Sequence, residues 1–368
     1  MNKEMEIQTR LATAQDNTAL MALLKRTPQM GSITLTFERE PNFFAGALVS
    51  CEHEHVLVAE DLNTPGVLIA MIDIGLRRQY IDGKIEAVRY FHDLRVAPEA
   101  RGGKALKSLF LAIADHTHAQ DEWMEAVVLE ENLIPLGIID RGRSWLPNVY
   151  PGGRVITSLI PAQKRKTVIT NNLTIRAATP GDATLLQQLW DEASHRQGFP
   201  LYNVNDLLAG SGYYRGIKIN SYLIAFINGK AVGTVGMWDQ KPFKQTRVTR
   251  YTPWLAASRL PYNLYSMLFG GIHLPPPGSC FDYLTLHSLT VDQDNPEVFT
   301  ALLDYVIEHH LPPKQSLVCG FFDNHPLEAA LEAYKRQKLY SRHLLMSYQQ
   351  DPSESQNSTV RHVEIARL

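Results

Sequence analysis

The sequence predicts an α+β protein of two tandem domains, each a mixed, mainly antiparallel central sheet flanked by helices. Three observations carry this reading: a length of 368 residues, an internal repeat, and a run of hairpin strands that ends in one strand–helix–strand crossover. At roughly 150 residues per domain, the length alone asks for two.

The repeat sets the organisation. Residues 7–16 read IQTRLATAQD and residues 173–182 read LTIRAATPGD, sharing Arg10/Arg176, Ala12/Ala178, Thr13/Thr179 and Asp16/Asp182 at a constant offset of 166. In each, a β-prone run precedes Thr and Asp as candidate N-caps. Leucines at helical spacing follow, Leu20, Leu23 and Leu24 in one copy and Leu185, Leu186 and Leu189 in the other. Farther on, His92-x-Leu94-x-Val96 returns as His287-x-Leu289-x-Val291 and Asn132 as Asn324, in the same order. Residues 162–172, AQKRKTVITNN, are polar and aperiodic and read as a linker. The boundary falls near Lys166, giving domains 1–165 and 166–350 and a tail, 351–368. Within the tail, DPSESQNS reads as mobile and TVRHVEIARL as an added edge strand.

In the first copy, residues 54–60 and 66–76 read as strands joined by the Asn63-Thr64-Pro65-Gly66 turn. Asp82-Gly83 is a hairpin signal leading into a third strand, Ile85 to Val96. That strand stops at Pro98, and Arg101-Gly102-Gly103-Lys104 opens a helix bearing Leu106, Leu109, Phe110 and Ile113. Residues 126–130 form a further strand with Asn132 just beyond it, residues 145–153 a loop, and residues 154–160 the last strand.

Composition narrows the function. With 36 basic and 38 acidic residues the formal charge is −2, without the basic excess of a nucleic-acid binder. Cys51, Cys280 and Cys319 are too few and too scattered for a zinc site or a disulfide framework. The pairs His53/His55 and His116/His118 lack partners at ligand spacing, so no metal is expected. No leader or membrane-spanning run is present, which places the protein in the cytoplasm, with no membrane partner expected.

A strand that turns through Arg-Gly-Gly-Lys into a helix leaves backbone N–H groups free at the positive end of the helix dipole. Arg101, Lys104 and Lys107 add positive charge there, and Gly102 and Gly103 let the backbone approach a phosphate. The string Leu94-x-Val96-x-Pro98-x-x-Arg101-Gly102 resembles the acetyl-CoA signature of the Gcn5-related N-acetyltransferases (GNAT), and the two openings resemble that family's first strand and helix. Together they cover most of the chain as two tandem copies.

The resemblance implies acetyl-CoA as cosubstrate. Backbone groups of Leu94 and Val96 would pair with its pantetheine arm, the amides of Arg101, Gly102, Gly103, Lys104 and Ala105 would cradle its pyrophosphate, and Asn132 would contact the arm. Lys104 and Leu106 stand where the family has small residues. In the second copy, Asp292-Gln293-Asp294-Asn295-Pro296 puts carboxylates where phosphates would sit, so that copy reads as degenerate.

Strand alternation places Tyr90 and His92 on the face that Leu94 lends to the thioester. An ordinary imidazole, with a pKa of about 6.5, suits proton acceptance from an amine. A member of the family carries two histidines at the positions of Tyr90 and His92. Glu130 and Glu131 are alternative bases. The family's tyrosine acid is absent at Ile139, leaving Tyr150, Tyr334 or Arg143 as stand-ins. The expected activity is transfer of acetyl to the amine of a small molecule or peptide by a monomer or homodimer. A non-catalytic acyl-CoA sensor, or a transferase of longer acyl or aminoacyl groups, are the alternatives.

Overall fold

The computed structural model describes residues 5–102, 104–118, 122–163, 172–355 and 360–368. The first copy contains β1 (Ile7–Leu11), α1 (Asn17–Arg26), β2 (Ile33–Glu38), α2 (Phe43–Ala47), β3 (Val56–Asp61), β4 (Leu68–Ile81), β5 (Lys84–Val96), α3 (Lys104–His118), β6 (Met124–Leu129), α4 (Leu133–Arg141) and β7 (Asn148–Pro161). The second contains β8 (Leu173–Ala177), α5 (Ala183–Asp191), α6 (Val204–Ala209), β9 (Tyr222–Ile227), β10 (Lys230–Trp238), β11 (Gln245–Tyr251), α7 (Pro253–Phe269), β12 (Tyr283–Val291), α8 (Pro296–His310), β13 (Ser316–Phe322), α9 (Pro326–Ala330) and β14 (Gln337–Ser347).

The repeated opening is a small bonded motif. Thr13 N–H donates to Asp16 Oδ2 at 2.7 Å and the Arg10 guanidinium grips the same carboxylate at 2.8 Å. Thr179, Asp182 and Arg176 repeat both contacts, at 2.8 and 2.8 Å. Each is a reciprocal Thr/Asp cap on a 3₁₀ turn that feeds the first helix. The buried faces of those helices are the leucines read from the sequence: Leu20, Leu23 and Leu24 in α1, and Leu186 and Leu189 in α5.

Among the described residues, twelve strands form one continuous sheet in the order β1-β3-β4-β5-β6-β14-β7-β13-β12-β10-β9-β8. The two copies exchange their last strands. β7 of the first copy pairs with β13 of the second, Val155 opposite Phe322 through Pro161 opposite Ser316. β14 of the second pairs with β6 of the first, Leu129 opposite Ser341 through Met124 opposite Met346. β7 and β14 then pair with each other at the centre. β7 also starts at Asn148, within the segment expected to be a loop. Two strands absent from the sequence reading, β2 and β11, make a separate antiparallel ribbon between the copies.

One core packs α1 and α3 on the first half of the sheet and another packs α8 on the second. A third, rich in aromatic residues, fills the junction around Trp190, Tyr214, Tyr222 and Trp238. Phe43 is fully buried in the first core. Among its described residues the tail adds no edge strand. It makes an isolated bridge from Arg361 to Gln197 and ends in a 3₁₀ turn, Ile365–Arg367, driven into the second half, with Arg367 fully buried. Residues 356–358 of the stretch expected to be mobile, and Thr359 of the expected edge strand, lie outside the described residues, and Pro352–Ser355 form a 3₁₀ turn.

Candidate active site

The site begins with a gap in the sheet. β5 and β6 run parallel and pair only at Arg89–Met124 and Tyr90–Glu125. Beyond Tyr90 they splay, and every residue from His92 to Val96 keeps partial solvent exposure. A β-bulge in the β4–β5 ladder sits at this point, with Asp93 at φ 51°. The second copy repeats the bulge at Ser288, φ 44°. The two residues correspond within the H-x-L-x-V match.

The bulge overturns one expectation. An extra residue breaks the two-residue alternation of a strand, so Leu94 does not share a face with Tyr90 and His92. Leu94, Val96 and Phe91 pack on the helix-side core. Tyr90 and His92 stack at 4.9 Å on the opposite face, with the Arg77 guanidinium 4.2 Å over the Tyr90 ring.

His92 has a setting the sequence did not reveal. Its Nε2 lies 3.3 Å from Asp73 and its Nδ1 3.3 Å from Asp93, with the ring 7 % exposed. Asp93 is held in turn by Arg39 at 2.6 Å. Burial alone would disfavour the charged ring, but Asp73 and Asp93 outweigh it and raise the pKa well above 6.5. Protonation of His92 is therefore favoured well beyond that of an ordinary imidazole, which makes its lone pair less available to accept a proton. The expectation of an ordinary imidazole does not hold. Neighbouring Lys244, from the second copy, loses hydration and feels Arg39, which brings its ammonium down to about 7.

Glu125 lies behind this cluster and accepts from Arg77 Nε at 2.9 Å and faces His343 Nε2 at 3.2 Å. Burial opposes its ionisation, yet Arg77 and His343 hold it far below the usual carboxylate range. A cavity of about 20 Å³ beside it, lined by Gln79, Gly152, Gln197 and His362, admits a single water.

The segment expected to cradle a pyrophosphate lies one turn past β5. Arg101 and Gly102 are exposed, Gly102 has φ 119°, and a Cβ placed on it meets nothing within 4 Å. Lys104 opens α3 and Ala105 is buried beneath it. Gly103 lies outside the described residues. Asn132 precedes α4 without capping it through its side chain. Glu131 is exposed in the same turn, whereas Glu130 is paired with Arg154 at 2.8 Å. Tyr334 does not reach the site, because its hydroxyl bonds Asp304 at 2.8 Å inside the second half. His55, from one of the histidine pairs, stacks on His116 at 4.0 Å.

The second copy has the same plan with its gap filled. β12 and β13 pair from Tyr283 to Thr285 and then part, but His287 to Val291 are all buried. Arg196 donates to Leu289 O at 3.4 Å and Val291 O at 3.2 Å, residues that match Leu94 and Val96. Glu364 accepts from Ser288 N at 2.7 Å, and Arg367 reaches His287 Nε2 at 2.9 Å. At the helix, Asn295 Oδ1 already takes the amides of Glu297 and Val298, at 2.9 and 3.4 Å. A negative ligand there meets amides already bonded by Asn295.

One continuous sheet whose two halves each carry a splayed parallel pair joined by a crossover helix defines the tandem GNAT fold. The chain resembles the N-myristoyltransferase of Saccharomyces cerevisiae with bound myristoyl-CoA, at 11 % identity over 96 % of this chain and 81 % of that one, TM-score 0.59. It also resembles a tandem GNAT protein from the clavulanic acid biosynthesis pathway, at 12 % identity over 94 % and 100 %, TM-score 0.53. A Gcn5-related N-acetyltransferase from Anabaena variabilis gives 12 % over 92 % and 72 %, TM-score 0.52. No family model and no curated protein matches the sequence.

Proposed function

We propose that the chain is an acyl-CoA-dependent N-acyltransferase that moves acetyl from acetyl-CoA to an amine, with the first copy active and the second supporting. The observation that carries this is the contrast between the gaps: open from His92 to Val96 and leading to Arg101-Gly102 and α3, against sealed by Arg196, Glu364 and Asn295. The pantetheine arm would lie along Leu94 and Val96 near Asn132. The pyrophosphate would lie at the α3 N-terminus on the amides of Arg101 through Ala105.

In the transfer, the amine lone pair attacks the thioester carbon, the C–N bond forms, the C–S bond breaks and the thiolate takes a proton. Charged His92, stacked on Tyr90, serves this reaction by stabilising developing negative charge rather than as the base. Glu131 is the exposed carboxylate available to draw in a cationic amine and pass its proton to water.

The likeness to a myristoyl-CoA-bound structure favours a second reading, transfer of a longer acyl chain. Calorimetric titration with acetyl-CoA and myristoyl-CoA separates the two by relative affinity, and absence of micromolar binding to either sinks the reading. Release of free thiol across an amine panel then distinguishes a transferase from a sensor.

A further inference from the structure

Where the first copy joins β4 to β5 by the two-residue turn Asp82-Gly83, the second inserts residues 239–282 between β10 and β12. Within that insertion α7 has its polarity reversed. Arg259, Asn263 and Ser266, spaced i, i+4, i+7, face the protein, where each side chain bonds the 271–274 loop: Asn263 to Leu274 O at 2.9 Å, Arg259 to the same carbonyl at 3.3 Å, and Ser266 to Gly271 O at 2.7 Å. The outward face is apolar. Trp254 is 78 % exposed, Leu260 68 %, Leu264 58 %, Met267 66 %, Leu268 65 % and Phe269 55 %. Surface helices of globular proteins normally show the opposite arrangement, and a contiguous apolar face of this kind marks an interaction surface.

The surroundings indicate what covers it. From residue 240 to 281 the sequence holds no Asp or Glu. At the C-terminal end of the helix Lys335 donates to Phe269 O, and Arg259 and Lys314 flank His273. Arg250 is exposed just before its start. Seventeen residues make a helix about 25 Å long and about 10 Å across, whose outward third offers roughly 260 Å². That is about a third of the ~800 Å² per partner of a stable protein complex. A lipid surface needs no shape complementarity. The helix is too short to cross a bilayer, and its Trp and Tyr side chains suit the interfacial zone.

We propose that α7 lies in the plane of an anionic membrane surface, its outward face among the acyl chains and the neighbouring cations at the headgroups. The expectation of no membrane partner rested on spanning length, which does not apply to an in-plane helix. The proposal is independent of the acyltransferase reading.

The test is flotation of the full chain with vesicles of equimolar phosphatidylcholine and phosphatidylserine, against phosphatidylcholine alone. Wild type floats with the anionic vesicles, less with the neutral ones, and less as salt is raised. The double variant L264E/L268E binds at least about tenfold more weakly, while its melting temperature and its acyl-CoA titration match wild type. Failure of wild type to float, or equal flotation of a folded L264E/L268E, overturns the proposal. A wild-type dimer that the same substitutions dissociate in sedimentation also overturns it, since a second copy would then cover the face.

Discussion

Asp73 and His92 lie 3.3 Å apart across the β4–β5 ladder, where Asp73 is fully buried and Asp93 holds the other side of the ring. The folded state therefore binds a proton at His92 that the unfolded chain releases near pH 6.5. The resulting stability is complete below 6.5 and is lost as pH rises through the elevated value, at about 1.4 kcal/mol for each unit of elevation. Thermal melts from pH 6.5 upward should show this decline, and His92→Asn should flatten it. If the charged ring also serves acyl transfer, kcat of the wild type falls over the same alkaline range.

The acid side belongs to the second copy. His287 is fully buried and kept neutral, with its pKa driven down to about 3 by burial and by Arg367. Its contribution to stability is present above 6.5 and is lost as pH falls toward 3. Glu364, whose burial is outweighed by His362 and His287, adds a second loss below 4.5. His287→Gln should shift the onset of acid unfolding to lower pH, measured by circular dichroism.

Arg367 donates to Val49 O at 2.7 Å and Tyr213 O at 2.8 Å, and its guanidinium lies 3.3 Å over the Tyr213 ring. Arg367→Ala strands two buried carbonyls and opens a hole among the rings, at a cost of about 3 kcal/mol or more. Urea unfolding should report it as a lower midpoint with an unchanged slope.

Arg101→Glu places a carboxylate at the mouth of α3 without touching the core, since Arg101 is exposed. Affinity for CoA should fall about tenfold to a hundredfold, the value of one charge-assisted contact plus repulsion, with the melting temperature unchanged. The matching change in the second copy, Asn295→Ala, should leave CoA affinity alone and lower stability by about 1 kcal/mol as a lost cap.

Expressed alone, residues 1–165 lack β14 beside β6, and residues 166–368 lack β7 beside β13. Neither piece should fold cooperatively, while the two co-expressed should recover the native circular dichroism spectrum. Independent folding of the first piece would show that the exchange is dispensable.

Local chemistry was readable from the sequence because neighbours in the chain carry it. Arg10, Thr13 and Asp16 recur because they bond one another within a single turn, and Asp82-Gly83 makes its hairpin with φ of 47° and 74°. The H-x-L-x-V match marked the repeat, but it carried no sign of the bulge that both copies hold there, and alternation, which assumes a regular strand, misplaced Leu94. The charge on His92 depends first on Asp73, which only the folded sheet brings near. The exchange of β7 and β14 is equally invisible to periodicity, which shows that a strand has a buried face but not which strand it pairs with. The plug of Glu364 and Arg367 ran against the alternating pattern of the tail.

The crossed strands also limit how the molecule can move. A two-domain transferase with separable lobes can admit its acceptor by swinging them apart. Here such a swing must unzip β7 from β13 and β14 from β6. If the chain is the acyltransferase proposed above, acceptor entry and product exit are left to the short segments rimming the open gap, those around Arg101 and from Glu131 to Trp145. Such a frame would make turnover depend on local movements at the gap rather than on the opening of a jaw.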